Sequence, residues 1–113
     1  MILCFDEKYI DMSRIDLITF GDGYVEIVWK VKKDYDKAPI TNVFGNSIMG
    51  KWLTGTAEGL TTACALEGEF REAIRQDDRL FDFEEKVRLI IDRPGCEDLK
   101  ISYEAFKSRW ENR

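Results

Sequence analysis

One stretch limits what this chain can fold into more than any other. It is Arg14 to Lys33, RIDLITFGDGYVEIVWKVKK, where two apolar-rich runs flank a Gly21-Asp22-Gly23 turn. Such a pattern predicts a β-hairpin, because glycine accepts the positive φ that tight hairpin turns need. In Tyr24 to Lys32, Val25, Ile27, Trp29 and Val31 fall on one face, and Glu26, Lys30 and Lys32 on the other. That is the period of a half-buried strand. The first strand alternates less cleanly, with faces Ile15/Leu17/Thr19 and Asp16/Ile18/Phe20. Two registers are therefore open. A two-residue loop sets Ile18 and Phe20 beside Val25 and Ile27. A three-residue loop with a left-handed Gly23 sets Ile15 and Leu17 there, and a one-residue slip exchanges the faces. A hairpin carries no chemistry of its own, so function has to be sought in other residues.

A chain of 113 residues, 44% hydrophobic and 12% aromatic, suits a single compact domain over residues 1–113. Ile2 to Phe5 reads as a short strand, and Tyr9 to Ser13 leads into the hairpin, which makes an antiparallel meander the simplest arrangement. From Ile40 to Gly59 four glycines interrupt the pattern, at Gly45, Gly50, Gly55 and Gly59, and a long loop with fragments of strand or helix is expected, the alternative being an adaptable binding loop. Leu60 to Gln76 predicts a helix whose buried face is Leu66, Phe70, Ala73 and Ile74. Gly68 weakens it.

The stretch that follows Asp77 is ambiguous. Leu80, Phe83, Val87 and Ile91 fit helical spacing. Val87, Leu89 and Ile91, and then Leu99, Ile101 and Tyr103, also alternate on either side of Pro94-Gly95. The alternation favours a second hairpin. Tyr103 to Arg113 predicts a C-terminal helix capped by Ser102. The expected fold class is thus α+β: a small antiparallel sheet, made of the N-terminal meander and a second hairpin, packed on one central and one C-terminal helix.

The chain has no histidine, which removes Ser-His-Asp and Cys-His catalysis. No nucleotide-binding, metalloprotease or calcium-loop motif is present. Cys4, Cys64 and Cys96 are isolated from one another, with no CxxC pair to hold zinc. Cys4 and Cys64 read as core residues, and Cys96 as an exposed turn residue. No metal and no cofactor are expected, and Asp77, Asp78 and Asp82 lack the spacing of a known cation loop. No apolar run reaches the ~20 residues of a membrane span, and the N-terminus lacks the basic flank of a signal peptide, so a cytoplasmic protein is expected.

Charge supplies the functional expectation. Residues 66–85 carry eight acids against three arginines, a net of −5, which equals the net charge of the whole chain. Glu67, Glu69, Glu72, Asp77, Asp78, Asp82, Glu84 and Glu85 form this block. It disfavours nucleic acid as a direct ligand and favours a basic protein partner such as a toxin. Trp52 and Trp110 are aromatic candidates for the same contact. The expected role is a non-enzymatic inhibitor of the immunity-protein or antitoxin kind, for example against a toxin nuclease, acting by occlusion. The alternatives are a homo-oligomeric assembly subunit and a carboxylate-based enzyme or small-molecule binder.

Overall fold

A computed structural model describes residues 1–5, 8–21, 24–29 and 47–112. The chain opens with two short strands, β1 (Ile2–Phe5) and β2 (Lys8–Asp11), and a 3-10 turn (Met12–Arg14). The long hairpin follows as β3 (Ile15–Gly21) and β4 (Tyr24–Trp29). Helices α1 (Ile48–Gly55) and α2 (Ala57–Arg75) come next, then β5 (Leu80–Asp82), α3 (Phe83–Ile91) and α4 (Glu97–Glu111). The fold class is α+β.

The strands make two sheets and not one meander. One sheet has the order β2-β1-β5, antiparallel between β1 and β2 and parallel between β1 and β5. Among the described residues the other consists of the β3-β4 hairpin. Its register pairs Ile18 with Ile27, Phe20 with Val25 and Gly21 with Tyr24, as a two-residue loop requires. An irregularity between Ile15 and Leu17 re-phases the far end, so Ile15 is buried and Leu17 exposed although both began on one face. The turn residues Asp22 and Gly23, the expected strand residues beyond Trp29, and 40–46 of the expected loop lie outside the described residues.

The rest of that expected loop is helical. Ser47 starts α1 by accepting the Gly50 N–H at 2.9 Å, and Met49, Trp52 and Leu53 turn inward. Thr56 then ends one helix and starts the next. Its Oγ1 accepts the Gly59 N–H at 2.9 Å and donates to the Trp52 carbonyl at 2.9 Å. The corner is tight enough that a Cβ at Gly59 would stand 1.9 Å from the Trp52 carbonyl oxygen. The glycine is there because two backbones meet. Helix α2 buries Thr62, Ala63, Leu66, Phe70 and Ala73, but Ile74 turns out to solvent, contrary to expectation.

The second hairpin does not form. Asp82 caps α3 by accepting the Glu85 N–H at 3.2 Å, and Glu84 and Glu85 occupy the first turn, where the helix dipole favours acids. Phe83, Val87, Ile90 and Ile91 are buried while Leu89 is exposed. A strand would have put Ile90 and Ile91 on opposite faces. Beyond the Pro94-Gly95 turn, with Gly95 at φ 88°, α4 begins at Glu97. Ser102 is therefore inside the helix and does not cap it. Its Oγ accepts the Trp52 indole N–H at 3.0 Å.

The core is a phenylalanine cluster. Phe81 meets Phe70 edge-on at 5.2 Å and Phe83 at 4.9 Å, and Phe20 reaches Phe70 at 5.3 Å, which ties the hairpin to α2. The same apolar cluster includes residues of both described sheets and of all four described helices.

Candidate functional site

The β2-β1-β5 sheet has two unlike faces. Leu3, Phe5, Ile10 and Phe81 point into the core. Alternation sends Ile2, Cys4, Tyr9, Asp11, Leu80 and Asp82 the other way. The register seats Ile2 between Asp11 and Leu80, and Cys4 between Tyr9 and Asp82. On this outer face Ile2 is 41% exposed, Leu80 50% and Tyr9 70%. Cys4 is covered; burial, followed by the Asp82 charge, raises its thiol pKa, and a protonated thiol is a poor nucleophile.

Two backbone hydrogen bonds extend the face sideways. Ile2 donates to the Arg79 carbonyl at 2.7 Å, and Met12 donates to the Met1 carbonyl at 2.9 Å. They bring the exit of α2 and the 3-10 turn against the start of β1. Met1, Met12, Ile74, Asp77 and Asp78 line a shallow recess of about 180 Å³ there. Asp77 sits at φ 55°, a left-handed conformation that aspartate and asparagine tolerate better than most residues. Asp11 belongs to the same border. The Ser13 N–H donates to its carboxylate at 2.9 Å and holds its pKa below the usual range.

The acidic block divides in this geometry. Glu67 pairs with Arg71 at 2.8 Å, Glu72 with Arg75 at 3.0 Å, and Glu69 on α2 with Arg93 in the α3–α4 turn. Those three acids are answered within the chain. Asp77 and Asp78 make no ion pair among the described residues. Asp82, Glu84 and Glu85 line a second recess with Arg88, and Asp82 is also the α3 cap and a neighbour of Cys4. The sequence placed eight acids in one patch; the structure brings Asp77, Asp78 and Asp82 to an exposed apolar surface and turns Glu67, Glu69 and Glu72 to local pairing. Among the described residues no group of three or more Cys, Asp or Glu is arranged to hold a metal ion.

The two tryptophans separate as well. Trp52 is 0% exposed, so it is a core residue and not a contact for a partner. Its indole packs edge-on against Tyr103 at 5.2 Å, and burial raises the Tyr103 pKa. Trp110 is only half-buried, stacked on Phe106 at 6.1 Å, with the Lys51 ammonium 4.0 Å from its ring centroid. It lies in a different cleft from the aspartates. Among the cysteines, Cys64 is exposed, against expectation, and Cys96, expected at an exposed turn, is half-buried.

Sequence reasoning missed Ile2, Tyr9 and Leu80. For Ile2 and Tyr9 the signal lay in ILCF and KYID, where strand alternation puts an apolar residue on each face, and for Leu80 it lay in the adjacent apolar pair Leu80-Phe81 of β5. No described helix is long and apolar enough to cross a membrane. Compared with known proteins, the chain matches no family model, no curated protein and no solved structure.

Proposed function

We propose that the protein is a binding protein that covers a basic partner surface, with the outer face of the β2-β1-β5 sheet as its contact. The observation that carries this reading is the company of exposed Ile2, Tyr9 and Leu80 with Asp77 and Asp78, two acids without internal counter-charges among the described residues. Interfaces draw affinity from an apolar or aromatic centre and orientation from charge at the rim. An arginine or lysine from the partner can lay its apolar stem on Ile74, Met1 and Met12 and bring its head to Asp77 or Asp78. The reading is non-catalytic. Inhibition of a toxin by occlusion, as an immunity protein or antitoxin does, is the specific form that fits an acidic chain of this size.

The test is affinity capture from the native source, read by mass spectrometry, with wild type beside an Asp77→Asn/Asp78→Asn variant. Asparagine removes the charges and keeps the left-handed backbone at 77 accessible. A basic protein retained by wild type and depleted by about tenfold on the variant supports the reading, since a hydrogen bond to a charged group is worth roughly 1.5–3 kcal/mol. Recovery of the chain alone supports self-assembly through the same apolar face.

A further inference from the structure

The C-terminal end of α2 carries two acids that the fold does not call for. Asp77 and Asp78 close the helix in a Schellman turn. The Asp78 N–H donates to the Ala73 carbonyl at 3.0 Å, and the Asp77 N–H to the Ile74 carbonyl at 3.1 Å. The turn holds Asp77 at φ 55°, a position that usually goes to glycine or asparagine. It also sets both residues at the negative end of the helix dipole, which favours cations and not acids. Neither aspartate makes an ion pair among the described residues. Proteins break local preferences of this kind chiefly at functional positions.

Ile74, one turn earlier, is 50% exposed and lines two hollows. One is the recess of about 180 Å³ that it shares with Met1, Met12 and the two aspartates. The other is a groove of about 320 Å³ between α2 and β3, walled by Ile18, Phe20 and Phe70. The charged residues that line this groove, Glu67 and Arg71, neutralise each other at 2.8 Å. An acidic hollow and a neutral, apolar one therefore share Ile74 as a wall. We propose, on the protein-binding reading above, that the partner seats an arginine in the recess and an adjacent apolar side chain in the groove.

Arginine suits the recess better than lysine. Its guanidinium is weakly hydrated and can lie on apolar atoms such as those of Met1 and Met12, and its fork of donors can serve two neighbouring carboxylates. An ammonium is a strongly hydrated point charge that loses more on leaving water. The groove offers no uncompensated charge, so what it rewards is apolar area removed from water on both sides of Ile74.

The experiment is an NMR titration of the full chain, labelled at the methionine and isoleucine methyl groups. The probes are N-acetyl-arginine methylamide, N-acetyl-arginine hexylamide and N-acetyl-lysine hexylamide. The methyl groups of buried Met49 and Ile27 report the intact fold. The arginine methylamide should shift Met12 and Ile74 saturably, with a Kd on the order of 10 mM for so small a ligand. The arginine hexylamide should shift Ile18 as well and bind about tenfold more tightly. The lysine hexylamide should bind several-fold more weakly than its arginine counterpart. Asp77→Asn/Asp78→Asn should weaken the arginine hexylamide by about tenfold. A hexylamide that binds no better than the methylamide, or leaves Ile18 unmoved, would overturn the proposal. So would equal binding of the lysine probe, or unchanged affinity in the folded variant. If a basic protein is still captured through Asp77 and Asp78 while the arginine probes fail, the protein-binding reading stands and this inference falls.

Discussion

The two faces of the β2-β1-β5 sheet are built from alternate residues of the same short strands and do opposite things. Phe81 and Leu3 are fully buried, while their chain neighbours Leu80 and Ile2 stand half in water. The inner face stabilises the fold by removing apolar area from solvent. The outer face gains little from folding, because its apolar groups stay wet. That surface, beside aspartates that make no ion pair among the described residues, is the one on which the proposed contact rests. The same contrast runs along α2, whose first turn is jammed against α1 at Gly59 and whose middle glycine, Gly68, faces open space.

The largest effect should come from the inner face. Phe81→Ala removes a ring that touches two other phenylalanines and should cost about 3–5 kcal/mol, read from the urea midpoint. Gly59→Ala comes next, at roughly 1–3 kcal/mol or more, since the new methyl meets the Trp52 backbone and no flexible side chain. Gly68→Ala should have the opposite sign. With nothing within 4 Å of the added Cβ, it should stabilise by about 0.5–1 kcal/mol. Leu80→Ser should move stability by no more than about 0.5 kcal/mol, as exposed substitutions do, and yet weaken partner capture. A Leu80→Ser loss as large as that of Phe81→Ala would erase the distinction between the faces.

The smallest effect is in pH. Hydrogen bonds from the N–H groups of Glu97 itself and Gly95 lower the Glu97 pKa, as those from Ser13 lower that of Asp11. A depressed folded pKa means stability that is present above the ordinary carboxylate range and is lost as pH falls through the folded value. Asp11→Asn and Glu97→Gln should each flatten the acid limb of a stability–pH profile: the contribution is lost at neutral and alkaline pH alike, with no change of slope there, and each variant converges on the wild type in acid.

Much of the fold was legible where one period dominates. The faces of α2 and β4 followed from Leu66, Phe70, Val25 and Ile27, and the two-residue register was one of two open choices. The second hairpin failed because Val87, Leu89 and Ile91 satisfy both periods at once. Asp82 as a cap and the burial of adjacent Ile90 and Ile91 decide for the helix, and burial is a tertiary fact. The start of α4 was hidden because Cys96 makes no side-chain cap. Of the candidate contacts, sequence could mark the acids but could not divide them. Glu69 finds Arg93, 24 residues away, only through the fold. Trp52 resembled Trp110 in sequence and parted from it through the α1–α4 packing.

The most direct measurement compares the affinity of the captured partner for two charge-matched variants, Asp77→Asn/Asp78→Asn and Glu67→Gln/Glu72→Gln. Each removes two negative charges from the acidic block. If the outer sheet face is the contact, the aspartate pair should weaken binding by about tenfold or more, and the glutamate pair, already neutralised by Arg71 and Arg75, should change it less than about threefold. Equal losses from both pairs would mean that only the overall charge matters. A larger loss from the glutamates would move the contact to α2 and contradict the assignment.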